Sequence, residues 1–80
     1  MSKFEVRSPL PGIFYRRPAP DKAAFKEDGA AVAAEDVIGL VEVMKSFHEV
    51  PATVAGKAIT FLVGDDEPVM AGQPIAEVEE

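Results

Sequence analysis

Apolar residues recur along this chain in short runs, and Gly or Pro interrupts every stretch before a helical period can build. Val37, Ile38, Leu40, Val41 and Val43 make the strongest run, rich in β-branched side chains that suit a half-buried pleated surface. Shorter runs of the same kind lie at residues 4–7, 13–16, 47–50, 58–63 and 75–78. Turn signals bound them: Ser8-Pro9, Pro11-Gly12, Asp28-Gly29, Pro51 and Gly56. The pattern predicts an all-β domain of seven or eight short strands. Residues 17–24, with Pro18 and Pro20, read as a stiff loop, and residues 21–26 are the one stretch able to form a single helical turn. Val6, Ile13, Phe14, Phe25, Val32, Ile38, Leu40, Val41, Val50, Ile59, Phe61, Val63, Val69, Ile75 and Val78 are the core candidates, with some alternating outward.

The strands repeat. Val32-Ala33-Ala34-Glu35-Asp36-Val37-Ile38-Gly39-Leu40-Val41-Glu42 resembles Val69-Met70-Ala71-Gly72-Gln73-Pro74-Ile75-Ala76-Glu77-Val78-Glu79, an offset of 69 − 32 = 37 residues. The region of Gly12 resembles that of Gly56, an offset of 56 − 12 = 44. The difference of 7 residues places an insertion in the first half, and the Pro-rich stretch 17–24 has the right size. Two similar β units, the first with an inserted loop, follow from this arithmetic.

Composition narrows the function. With 80 residues the chain makes one small domain, and such domains bury only roughly 60% of their unfolded surface, which leaves little room for a deep substrate pocket. There is no cysteine for a disulfide or thiolate site, and His48 is the single histidine, read as a surface residue. Eight basic against 14 acidic residues give a net charge of −6, which repels phosphate backbones and argues against nucleic acid. No apolar run reaches the length of a membrane helix, and the N-terminus shows no signal-peptide core, so a soluble, cytoplasmic domain is expected. The run Asp65-Asp66-Glu67 reads as a solvated turn.

The most informative feature is Met44-Lys45-Ser46, a tight connection between two strands with a lysine near its tip. It lacks the Gly, Asn or Asp that such turns favour, and it puts a soft methionine beside an ammonium on a flexible stem. Glu42-Val43-Met44-Lys45 resembles the Glu-Ala-Met-Lys-Met biotin-attachment motif of biotinyl domains. Residues 6–16 resemble the opening of the biotin carboxyl carrier domains of bacterial acetyl-CoA carboxylase. Pro18-Ala19-Pro20-Asp21 resembles their thumb loop, here about residues 17–24 with Arg17 at its start. Glu49-Val50-Pro51-Ala52 and residues 68–75 match the later strands and turns, so the resemblance covers nearly the whole chain.

The resemblance implies a flattened β-barrel of two four-stranded antiparallel sheets with quasi-two-fold symmetry, one domain over residues 1–80, and an attachment hairpin at residues 43–47. It implies that a biotin protein ligase joins biotin to Lys45 as an amide, with Glu42, Val43, Met44 and Ser46 as the recognition surroundings. It further implies that biotin is carboxylated at a separate biotin carboxylase and unloads at a carboxyltransferase, so the chain is a carrier and not itself an enzyme. The sequence departs from the pattern at Val43, where Ala is usual, at Ser46, where Met is usual, and at Arg17, where many carriers have Thr or Ser. Glu35 stands where Gly is common and would be strained if its turn kept a positive φ. Two other functions stay open at this point: a β-barrel interaction module that is never biotinylated, and a lipoyl carrier domain of a 2-oxo acid dehydrogenase. The start at Met1 leads to the expectation of either a free-standing carrier or an excised domain, serving acetyl-CoA, another acyl-CoA or a urea-like acceptor.

Overall fold

The computed structural model describes residues 3–19 and 21–80. Seven strands follow the apolar runs: β1 (Lys3–Arg7), β2 (Gly12–Tyr15), β3 (Val37–Val43), β4 (Ser46–Pro51), β5 (Ala58–Phe61), β6 (Glu67–Val69) and β7 (Pro74–Glu79). They form two antiparallel sheets, one in the order β1-β7-β5 and one in the order β4-β3-β2-β6. β6 is the element that the apolar pattern misses. It has three residues, one of them Pro68, and a short strand with proline belongs at a sheet edge, where β6 lies.

The first sheet has three regular strands where four are expected. Its fourth edge exists as irregular backbone beside β5. The Gly29 N–H donates to the Ile59 carbonyl (2.7 Å), the Ile59 N–H to Ala30 (2.9 Å), and Val32 and Gly56 exchange two bonds of 3.0 Å. The Asp28-Gly29 turn, with Gly29 at φ 90°, enters this edge too abruptly for a ladder to form. The stretch 21–26 is not helical. It leaves a turn closed by the Lys22 N–H on the Ala19 carbonyl and runs on to Phe25 without helical bonding.

Both offsets of the sequence repeat reappear in the topology. Adding 44 carries β1 onto β4 and β2 onto residues 56–59, which run into β5, and adding 37 carries β3 onto β7 and the 30–32 edge onto β6. The sheet orders then map onto each other strand by strand. The Gly12–Val69 pair becomes the Gly56–Val32 bridge. Even a turn device is duplicated: the Ala33 N–H donates to the Asp36 carboxylate and the Met70 N–H to the Gln73 amide oxygen, both at 2.9 Å. Only one of these two turns contains a positive φ, at Gly72 (81°). Glu35 is not among the positive-φ residues, so the strain foreseen there does not arise.

The two equivalent glycines sit where strands cross closely. A Cβ on Gly12 falls within 3.0 Å of the Glu42 carbonyl oxygen, and one on Gly56 lies 2.5 Å from that of Glu79. Because the obstacle is backbone, it cannot swing aside. Gly56→Ala and Gly12→Ala are each expected to destabilise the fold by about 1–3 kcal/mol, read as a lower urea midpoint. An unchanged midpoint in either variant contradicts the crossing geometry.

The core lies between the sheets. Val6, Phe14, Val32, Ile38, Val41, Val50, Ile59, Val69, Ile75 and Val78 are buried as expected, and Ala52 and Ala76 join them. Phe61 and Val63 pack against this cluster partly buried. Ile13, Leu40 and Phe25 are only half-buried and lie outside it. Ile13 and Leu40 alternate to the outer side of Phe14 and Val41, the period-2 consequence of a sheet with one buried face.

Candidate functional site

β3 and β4 are joined by a two-residue turn. Val43 pairs with Ser46, and Met44 and Lys45 occupy the corner with φ of 50° and 69°. Positive φ at both central residues is the primed turn whose twist matches a hairpin. For side chains other than Gly, Asn or Asp, that conformation costs roughly 1–2 kcal/mol per residue. Such strain persists only where the flanking structure over-determines it. Here six register pairs between β3 and β4 do so. Met44 is 93% exposed and Lys45 and Ser46 are exposed, so the turn displays an apolar side chain and a primary amine together.

Below the turn, the outer face of the second sheet carries a linked group. Glu42 lies opposite Ile13 on one side and Phe47 on the other. The Tyr15 hydroxyl donates to Glu42 Oε1 at 2.9 Å, and the Tyr15 and Phe47 rings are 6.1 Å apart, tilted by 51°. Its hydrogen bond to the Glu42 carboxylate, then burial, hold the Tyr15 hydroxyl above its ordinary pKa. Phe47 is 58% exposed, which places it on this surface and not in the core.

The inserted loop stands beside this group. The Phe25 N–H donates to the Arg16 carbonyl at 2.8 Å and closes the neck of residues 17–24. Arg16 anchors the base: its N–H donates to Asp65 at 2.7 Å, and its guanidinium sits 4.2 Å over the Phe61 ring. On the far side Lys26 pairs with Asp36 at 3.1 Å, and the Ala33 N–H and Lys26 hold that carboxyl below the usual range. Between loop and sheet is an open cleft of about 500 Å³ lined by Tyr15, Arg17, Pro18, Ala19, Phe47, Asp65 and Asp66. Arg17 approaches Asp65 at 3.7 Å across it, while its buried Nε has no hydrogen-bond partner.

Of the residues singled out in the sequence, Glu42, Val43, Met44, Lys45 and Ser46 come together on the hairpin, and Arg17, Pro18 and Ala19 on the cleft wall. Asp21 is exposed and does not line the cleft, and Pro20 lies outside the described residues. Tyr15, Asp65 and Asp66 were not read as site residues. For Tyr15 the available signal was alternation, since a buried Phe14 turns its neighbour outward. Asp65 and Asp66 join the cleft through a contact 49 residues apart in sequence, which no local pattern announces. Asp65 and Asp66 of the acid run form a turn, as expected, with Asp66 at φ 64°, but Glu67 opens β6.

Among the described residues, no helix is long and apolar enough to cross a membrane. Known proteins resemble the chain throughout. A biotin carboxyl carrier protein of acetyl-CoA carboxylase from a Nostoc species is 40% identical over 75 residues, covering 94% of this chain and 41% of that protein. Proteins of the same name from Haemophilus influenzae and Pseudomonas aeruginosa are 38% and 40% identical, covering 92% and 88% of this chain and 48% and 45% of theirs. The chain thus spans less than half the length of these relatives. The family model described as biotin-requiring enzyme matches residues 4–78. An exposed lysine on a strained hairpin, set in a duplicated β-sandwich that matches the model nearly end to end, places the chain in the biotin-requiring enzyme family.

Proposed function

We propose that this chain is a biotin carrier domain, with biotin joined to Lys45, serving a biotin-dependent carboxylase of the acetyl-CoA carboxylase type in the cytoplasm. The observation that carries the proposal is the Met44-Lys45 turn: a primary amine held at the corner of a two-residue hairpin in a strained backbone, beside a 93% exposed methionine. The position fits an attached biotin, because the amine is exposed and the turn that bears it is braced by paired strands. When bound, biotin supplies a ureido nitrogen that accepts and releases a carboxyl group.

The chain's own residues do the rest. Lys45 is the tether. Its flexible stem lets the attached group swing, and the β3–β4 ladder fixes where the swing begins. Tethering raises the local concentration of the group at partner sites without requiring the carrier to bind it tightly. Glu42, Val43, Met44 and Ser46 surround the amine that a biotin protein ligase must find. Arg17, Pro18 and Ala19, with Tyr15 and Phe47, offer the nearby cleft wall. The partners this reading requires are the ligase, a biotin carboxylase and a carboxyltransferase, and the net charge of −6 favours basic docking faces on them.

Incubation with a bacterial biotin protein ligase, biotin and ATP, followed by intact-mass measurement, tests this reading. The expected gain equals biotin less one water, on one site. No gain after prolonged incubation overturns it and favours the unmodified interaction module. A gain of lipoate from a lipoyl ligase in its place favours the oxo-acid dehydrogenase carrier.

A further inference from the structure

The strained turn at Met44 and Lys45 has no favourable turn residue of its own, so its shape depends on what holds β3 and β4 in register. On the exposed face two residues below the turn, Tyr15 of β2 joins both strands at once. Its hydroxyl bonds Glu42 of β3 at 2.9 Å, and its ring packs on Phe47 of β4. Glu42 and Phe47 are themselves directly paired, and Tyr15 reaches them diagonally from its own partner Leu40. Three strands are thereby tied at the root of the hairpin.

The Glu42 carboxylate would otherwise be taken as a charge displayed to a modifying enzyme, three residues before the lysine. In the structure one oxygen is engaged by Tyr15 and the residue is only half-exposed. We propose that Glu42 is a positioning residue, acting with Tyr15 and Phe47 as a clamp that holds the Met44–Lys45 turn in its presented form, and that its own charge is not what a ligase reads. The inference rests on the reading of Lys45 as the modified residue, but the clamp itself exists with or without modification.

Two measurements separate these. In the unmodified chain, Tyr15→Phe keeps the ring and removes only the hydroxyl. It is expected to speed amide hydrogen exchange at residues 43–47 about tenfold, the loss of one hydrogen bond to a charged group, with the amides of β7 unchanged. Equal exchange in wild type and variant overturns the clamp. In ligase kinetics on the same chains, Tyr15→Phe and Glu42→Ala are each expected to lower kcat/KM about tenfold, and the double variant no further than either alone. Glu42→Gln keeps an acceptor for the hydroxyl and recovers most of the loss. A Tyr15→Phe chain modified at the wild-type rate, with Glu42→Gln as impaired as Glu42→Ala, overturns the proposal in favour of direct charge recognition. A multiplied, roughly hundredfold loss in the double variant also overturns it. A wild-type chain that takes up no biotin refutes the assignment of Lys45, and exchange alone then decides the clamp.

Discussion

Lys45→Arg is expected to abolish biotin incorporation completely while leaving the fold intact. Arginine keeps the positive charge and a long flexible stem, so the exposed corner loses nothing that supports the hairpin. Stability should stay within about 0.5 kcal/mol of wild type, the ordinary range for a surface substitution. What disappears is the nucleophile, because the guanidinium stays protonated and delocalised at every accessible pH. Two of the four other lysines supply the control. Lys26 is engaged by Asp36 at 3.1 Å, and Lys57 follows the close crossing at Gly56, where its N–H bonds the Glu79 carbonyl. Neither stands on a two-residue corner. Lys57→Arg should therefore show the full gain of one biotinyl group, biotin less one water. Mass gain that persists in Lys45→Arg, or disappears in Lys57→Arg, moves the attachment site and with it the assignment of the hairpin.

That hairpin was legible through its flanks and not through its turn. Val37 to Val43 and Phe47 to Val50 read as strands from their own residues, and the space left between them fixed a tight connection. Turn chemistry pointed away from it, since Met and Lys are poor residues for positive φ. A functional site is where such a local rule is expected to be broken, with the cost met by surrounding pairing. The duplication was equally legible, because each half must bury the same face against the other and so repeats the same apolar positions. Its two offsets carry the Gly12–Val69 pairing onto the Gly56–Val32 pairing. The features that escaped the sequence have a common cause. β6 is too short to show a period, and the cleft is assembled from the inserted loop, β2, β4 and the 65–66 turn. The Tyr15–Glu42 bond spans 27 residues. Each depends on how distant segments meet, which residue pattern alone does not encode.

Phe14→Ala is expected to be the most damaging single core change. Phe14 has no solvent exposure and is the largest of the fully buried side chains. Its ring lies against Gly39, where a Cβ on that glycine would stand 2.5 Å from Phe14 Cε1, and it meets the Phe61 ring at 6.3 Å. Gly39 leaves room for this ring and has no side chain of its own, so truncation of Phe14 leaves a void that nothing at position 39 fills. Removal of a buried phenylalanine costs about 3–5 kcal/mol. A domain of this size has only on the order of 4–12 kcal/mol of stability in total. At roughly 4–8 °C per kcal/mol for a small domain, the melting temperature should fall by about 12–40 °C. Ile13→Ala, one residue earlier but half-buried on the outer face, should cost about 1 kcal/mol or less. A Phe14→Ala loss as small as that of Ile13→Ala would mean that β2 does not alternate as described. It would also unseat Tyr15, because the inward Phe14 is what turns Tyr15 outward toward Glu42 and the lysine hairpin. The pair of substitutions therefore tests the packing of the core and the face on which the site is built at the same time.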